Sequence, residues 1–193
     1  MRHINFDSAK TLQDVHDIQK NLYPEETWHR CEALMECARD SESIMEFGVN
    51  QGCSLVLMLL QNPKKIIGVD PQIAAWNKGR SYKPLSILAE EYAKENNIEI
   101  EFLAMSSTNP KTVRSVDMLH IDSLHTPKHL RKELKLHAQH IKKYIAFHDI
   151  KQDNYALWKV VEDFLSNNED WKLKNMYDEK GTCGHAEIER VKK

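Results

Sequence analysis

Residues Ser43 to Ser54 read SIMEFGVNQGCS, and this stretch constrains the chain more than any other. Ile44, Met45, Phe47 and Val49 form a short apolar run around one carboxylate, Glu46. Gly48 and Gly52 then bracket a polar turn, and Cys53 to Leu60 continues as an apolar segment long enough for a helix. The pattern predicts a buried strand, a tight glycine loop and a helix start within about twenty residues. Glycine lets a backbone approach a ligand closely, and unpaired amides at a helix start favour polar or anionic groups. A second apolar run, Lys65 to Val69, ends at the carboxylate of Asp70. In a βαβ nucleotide fold, an acidic residue at the end of the second strand grips ribose hydroxyls. Together these features imply a nucleoside-containing ligand. A dinucleotide site is excluded, because it needs G-x-G-x-x-G and the pattern here is Glu46-x-Gly48-x-x-x-Gly52.

The 193 residues fit one domain with at most a small helical extension, divided as 1–40 and 41–193. A formal net charge of −2 gives no electrostatic reason to expect nucleic acid or an anionic membrane as partner. The opening MRHINFDSAK lacks an apolar core segment, and the run from Leu55 to Leu60 is too short for a bilayer. Cys31, Cys37, Cys53 and Cys183 show neither C-x-x-C pairs nor a dense framework, which fits reduced thiols in a cytoplasmic protein.

Residues 1–40 have helical periodicity. Ser8 is a candidate cap for a segment through Leu22, with Leu12, Val15, Ile18 and Leu22 on one face. Pro24 suits the first turn of a second helix, followed by the apolar face of Trp28, Cys31, Leu34, Met35 and Ala38. This extension reads first as a cover for the sheet and second as a lid over a ligand pocket. From Ser43 onward strands and helices alternate, the pattern of a parallel sheet with helices on both faces. Strands are expected at 43–48, 65–70, 98–104, 116–121 and 143–148, and helices at 53–61, 82–96, 126–140 and 153–166. Trp171 to Asp178 and Ala186 to Val191, around Gly181 and Gly184, read as a closing hairpin at a sheet edge. Trp76 and Tyr82, after the second strand, could stack on an adenine or shape the pocket mouth.

The chemistry concentrates between Ser115 and Lys151. A strand ends in Asp122, His125 follows three residues later, and the next strand ends in His148 and Asp149. Open parallel sheets bind ligands beyond the carboxyl ends of their strands, so these side chains should converge on the rim of the glycine loop. Two carboxylates and an imidazole delivered there form a candidate divalent metal site.

Glu46-x-Gly48-x-x-x-Gly52 with Asp70 resembles the S-adenosylmethionine site of class I methyltransferases. H-I-D-S-L-H, followed by F-H-D-I, sharpens this to methyltransferase family 24, similar to cephalosporin-biosynthesis and macrolide-sugar O-methyltransferases. The resemblance spans roughly Glu42 to Asp149 and, more weakly, the closing hairpin. It implies a Rossmann-like α/β fold with a mostly parallel seven-stranded sheet and an antiparallel closing hairpin. It also implies that Glu46, Gly48, Asn50, Gly52, Ser54, Asp70, Ser106 and Asp122 bind S-adenosylmethionine. Asp122, His148 and Asp149 would hold Mg2+ or Mn2+, and His125 would be the general base. Residue 148 departs from the pattern, because the metal-dependent relatives carry an acidic residue there. A nitrogen ligand favours Mn2+, Fe2+ or Zn2+.

The implied reaction is O-methylation of a small-molecule or saccharide hydroxyl, with no nucleic-acid or membrane partner and a homo-oligomer as an open possibility. Two other readings stand beside it. His120, Asp122 and His148 spell the two-histidine, one-carboxylate set of non-heme iron oxygenases, although that reading leaves Glu46, Gly48 and Asp70 unused. A catalytically silent cofactor-binding protein of the same fold is the other, since fold alone does not establish activity.

Overall fold

The computed structural model describes residues 4–73, 83–179 and 181–191. Trp76 and Tyr82 lie outside these residues. Two helices open the chain, α1 (Leu12–Leu22) and α2 (Glu25–Arg39). The α1 cap is Thr11 rather than Ser8. Its hydroxyl accepts from the Asp14 amide at 3.1 Å while Asp14 Oδ2 accepts from the Thr11 amide at 2.9 Å. This reciprocal box satisfies two amides that helical bonding leaves free, which a lone Ser8 three residues upstream could not do. Leu22 was expected on the apolar face, but at 59% exposure it lies off it.

The sheet and its crossovers follow as β1 (Ser43–Phe47), α3 (Cys53–Leu59), β2 (Lys65–Val69), α4 (Lys83–Glu95), β3 (Glu99–Leu103), β4 (Val116–Ile121), α5 (Pro127–His137), β5 (Ile141–His148) and α6 (Gln152–Ser166). The chain closes with β6 (Trp171–Tyr177) and β7 (His185–Arg190). The seven strands lie in the order β3-β2-β1-β4-β5-β7-β6, with β7 antiparallel to both neighbours and the other pairs parallel. The expected fold class is the observed one. Boundaries moved most around α5. Its helix stops at His137, a 3-10 turn takes Ala138–His140, and β5 begins at Ile141, two residues before the apolar pattern suggested.

Neighbouring residues along each central strand serve opposite layers, as the two-residue period of a strand requires. Ile44, Ile66 and Met118 pack with Leu12, Val15, Leu34, Leu55 and Leu85 on one face. Met45, Ile67 and Leu119 pack with Leu130, Leu134, Leu157 and Val161 on the other. Because α1 and α2 contribute to the first of these layers, residues 4–40 share the core of the sheet domain.

The strand ends are fixed to one another by backbone. The Gly48 amide donates to the Val69 carbonyl at 2.9 Å, and the Asp122 amide donates to the Phe47 carbonyl at 2.8 Å. Gly48 has φ of +83°, and a Cβ there would lie 2.0 Å from the Asp122 carbonyl oxygen. Gly181 has a similar φ of +88° with nothing within 4 Å of a Cβ. Gly181→Ala should therefore cost about 1–2 kcal/mol, the penalty of a left-handed L-residue. Gly48→Ala adds a backbone collision and should cost at least about 2 kcal/mol more. Urea unfolding of both variants measures the difference, and equal losses would contradict the close approach.

Candidate active site

The carboxyl ends of β1, β2, β4 and β5 form one rim. Gly52, at φ +84°, caps α3, and Asn50 turns through φ +45° in the loop before it. Asp70 Oδ2 accepts from the Asn50 amide at 3.0 Å, and its Oδ1 accepts from the Gln72 amide at 2.7 Å. The carboxylate that ends β2 thus clamps the glycine loop to its own loop. Glu46 is fully buried below this loop. Its Oε1 accepts from the Ser54 hydroxyl and lies 3.0 Å from His120 Nδ1. Burial pushes the Glu46 carboxyl up, against the pull of His120 and Ser54.

Asp122, His125, His148 and Asp149 meet as expected. His125 bridges the two carboxylates, with Nε2 at 3.0 Å from Asp122 Oδ1 and Nδ1 at 3.0 Å from Asp149 Oδ2. His148 Nδ1 lies 3.3 Å from Asp122 Oδ1 and 3.0 Å from Asp149 Oδ1, but without the alignment of a hydrogen bond. Asp149 adopts φ +57°, and the Gln152 side chain donates to its Oδ2 at 3.1 Å. Hydrogen bonds to Asp122 and Asp149 push the His125 imidazole up to about 9. Burial works against a charged His148, yet Asp122 and Asp149 raise it well above the usual histidine value. Burial would also raise both carboxyls, but the paired imidazoles hold Asp122 and Asp149 well below the usual carboxylate range.

Two cavities flank this cluster. One, of about 720 Å³, is lined by Gly48, Asp70, Ile73, Ser106, Ser123 and His125 among others. The other, of about 320 Å³, lies under α1 and α2 and is lined by Tyr23, Arg30, Leu34, Leu57, His148 and Cys183 among others. Asn50, Asp122, Asp149 and Gln152 belong to both walls. The arrangement suits two ligands that meet end to end at a pair of carboxylates.

A family model described as a methyltransferase domain, that of methyltransferase family 24, matches residues 45–150, more than half of the chain. The chain belongs to this family of S-adenosylmethionine-dependent methyltransferases. No curated protein sequence matches it. Among solved structures it is similar to the O-methyltransferase TomG of Streptomyces achromogenes, which is involved in tomaymycin synthesis and was crystallised with S-adenosylmethionine. That likeness has a TM-score of 0.59 and 13% identity over 95% of this chain and 91% of that one. A putative caffeoyl-CoA O-methyltransferase from Staphylococcus aureus gives a TM-score of 0.62 and 11% identity over 95% and 94%. A putative rRNA methylase from Clostridium thermocellum gives 0.61 and 11% over 84% and 96%. At these identities the likeness is one of fold, and the fold is shared by proteins whose names point to different acceptors.

Within this methyltransferase the residues expected at the cofactor divide by position. Gly48, Asn50, Asp70, Ser106 and Asp122 line the larger cavity. Ser54 faces the smaller one, while Glu46 is on neither wall and acts through Ser54 and His120. The expected metal ligands are redistributed. Donor atoms within 4.8 Å of one another group as Asp122, His125 and Asp149, and as His148, Asp149 and Cys183. Oxygen, nitrogen and sulfur donors together fit a borderline divalent ion better than Mg2+. His120 belongs to neither group and is tied to Glu46, so the oxygenase set is not assembled among the described residues. Cys183, Arg30 and Gln152 were not foreseen. Cys183 Sγ accepts from an Arg30 guanidinium nitrogen at 3.0 Å and lies 3.6 Å from His148 Nε2.

His125 titrates high only because two carboxylates hold its proton, so its contribution to stability is full below pH about 6.5 and is lost as pH rises through about 9. In chelator-treated protein, the His125 ring protons followed by NMR should titrate near 9. Asp122→Asn or Asp149→Asn should each move that titration down by at least about one unit. An unmoved midpoint in both variants would refute the bridge.

Proposed function

We propose that this methyltransferase acts on a hydroxyl of a small molecule or sugar, with the cofactor in the larger cavity and the acceptor in the smaller one. The observation that supports this reading best is the meeting of the two cavities at Asp122 and Asp149, with His125 between the carboxylates. S-adenosylmethionine supplies an electrophilic methyl group, leaving S-adenosylhomocysteine and a methyl ether. Asp70, already oriented by two backbone amides, offers its remaining lone pairs to the ribose hydroxyls. Asn50 and Ser106 line the same cavity, and Gly48 lets a ligand lie against the backbone. Holding the two reactants in line accounts for much of the acceleration in such a site.

His125 is the group placed to hold the acceptor proton. While both carboxylates engage it, it carries its own proton at neutral pH, so it becomes a base only when one of them is drawn away. A divalent cation would be held by Asp122 and Asp149, with nitrogen from His148 and sulfur from Cys183, leaving His125 for the acceptor proton. Such an ion supplies positive charge that stabilises an acceptor oxygen as its proton leaves. Tyr23, Leu34, Val49 and Leu57 exclude water from the acceptor side. The narrow, largely apolar enclosure favours a small acceptor over a nucleic acid, in keeping with the net charge of −2.

Calorimetry should find micromolar binding of S-adenosylmethionine and S-adenosylhomocysteine by the wild-type protein. Asp70→Ala should weaken it about 10- to 100-fold, the worth of hydrogen bonds to a charged group. Folded wild-type protein that binds neither compound would remove the methyltransferase reading. In the same format Mn2+ or Zn2+ should bind more tightly than Mg2+, and Asp149→Asn should abolish the difference. Tighter Mg2+ binding would exclude the thiol and imidazoles as donors.

A further inference from the structure

We propose that the acceptor carries a carboxylate and that Arg30, on α2, binds it. The inference rests on reading the smaller cavity as the acceptor site. Arg30 is 8% exposed and lines that cavity. A guanidinium stays charged in proteins and normally reaches carboxylate or phosphate oxygens with its paired donors. Among the described residues Arg30 forms no ion pair with a carboxylate, its Nε has no hydrogen-bond partner, and its one hydrogen bond goes to the Cys183 sulfur. Cys31 and Cys53 do not supply the missing anion, because burial pushes their thiols up to about 11 and about 12, and the Cys183 sulfur, a weak acceptor, engages only one guanidinium nitrogen. Asp122 and Asp149 are taken by His125 and His148.

A buried, unpaired cation is among the most costly arrangements a fold can carry, and a site that retains one is arranged for an anion. Gln19 reinforces the point from the same wall. It is fully buried, its amide nitrogen donates to the Cys53 carbonyl at 3.3 Å, and its Oε1 has no partner. The cavity thus offers the Arg30 guanidinium and the free Gln19 Oε1 among Tyr23, Leu34, Val49 and Leu57, while the other charged groups on its wall, Asp122, His148 and Asp149, are paired with one another. An anionic group at Arg30 and a hydroxyl or amine at Gln19 would satisfy both. A cavity of 150 Å³ holds a benzene ring, so about 320 Å³ has room for one ring with several substituents. A small hydroxylated aromatic or alicyclic acid meets all of these requirements.

The test is calorimetry on the full chain saturated with S-adenosylhomocysteine, using 3,4-dihydroxybenzoate, its neutral analogue 3,4-dihydroxybenzamide, and catechol. The acid should bind the wild type at least about 10-fold more tightly than the amide or catechol, as a charge-assisted pair requires. Arg30→Met should erase that preference while S-adenosylhomocysteine binding stays within about twofold, and Arg30→Lys should keep part of it. Arg30→Met should also melt at a higher temperature without ligand, because the unpaired charge is gone. If S-adenosylhomocysteine binds but the acid has no advantage in the wild type, or Arg30→Met keeps that advantage, the proposal is overturned. A purely structural arginine, held by Cys183, would give the second of these results together with a lower melting temperature. If Arg30→Met fails to fold, Arg30→Gln takes its place in the same comparison, and retention of the acid's advantage in it overturns the proposal. Failure of S-adenosylhomocysteine itself to bind counts against the methyltransferase reading instead.

Discussion

The contact on which this site depends is the approach of the Gly48 backbone to the Asp122 carbonyl, too close for any Cβ to intervene. β1 is bonded on one side to β2 and on the other to β4, so its last residues decide how far apart the two neighbouring strand ends lie. With glycine at 48 the chain turns sharply between them. The loop that faces the larger cavity and the strand end that carries Asp122 become parts of one rigid body. Asp70 completes the brace from the other side through the Asn50 amide. Geometry of this kind is costly to build with side chains and simple to build with backbone, because peptide groups have no rotamers to order.

Beneath that brace the sheet carries ionisable side chains where a core would usually be apolar. Glu46 and Glu187 are fully buried, and each is paired with a histidine, His120 and His185, at 3.0 Å. Asn175 takes the second oxygen of Glu187 at 2.8 Å, while the second oxygen of Glu46 has no partner. The two imidazoles are tilted with centroids 6.3 Å apart, and both line the smaller cavity. Buried polar pairs of this sort add little stability over apolar packing and are damaging when one partner is removed. Their contribution here is positional, since Glu46 holds the α3 start through Ser54 and the β4 end through His120.

The parts of this molecule that sequence makes legible are those written in local pattern. The strand, glycine loop and helix from Ser43 to Leu59 follow from apolar period and glycine placement, and the rim follows because parallel strands end on one side. Asp122, His125, His148 and Asp149 converge for that reason alone. The sequence shows Cys183 only as a reduced thiol in a hairpin turn. Its place depends on β7 pairing with β5 so that His185 sits opposite His148, and no local pattern encodes that edge order. Backbone contact then fixes it, through the Lys151 amide to the Cys183 carbonyl at 3.0 Å. Arg30 had a faint signal, lying on the stripe of Thr27, Cys31 and Leu34 at helical spacing. A charge on such a stripe is usually solvated, and only the cavity between α2 and α3 shows that this one is not. Glu46, a motif position expected at the ligand, is fully buried below the loop and tied to Ser54 and His120.

These observations bear on how one pair of carboxylates can serve both a proton and a metal ion. Asp122 and Asp149 are each contacted by two imidazoles, so without a metal the cluster is balanced by two positive rings. A divalent ion would bring the same charge, and His148 must surrender a proton before its nitrogen can act as a ligand. Metal binding at such a site therefore releases protons and weakens as pH falls. In the proposed reaction the exchange would have a chemical use: with the carboxylates engaged by a cation, His125 would no longer be held protonated and would be free to take the acceptor proton. The nitrogen at position 148 and the sulfur of Cys183 would then decide which ion can make that exchange, since a hard, strongly hydrated ion gains least from them.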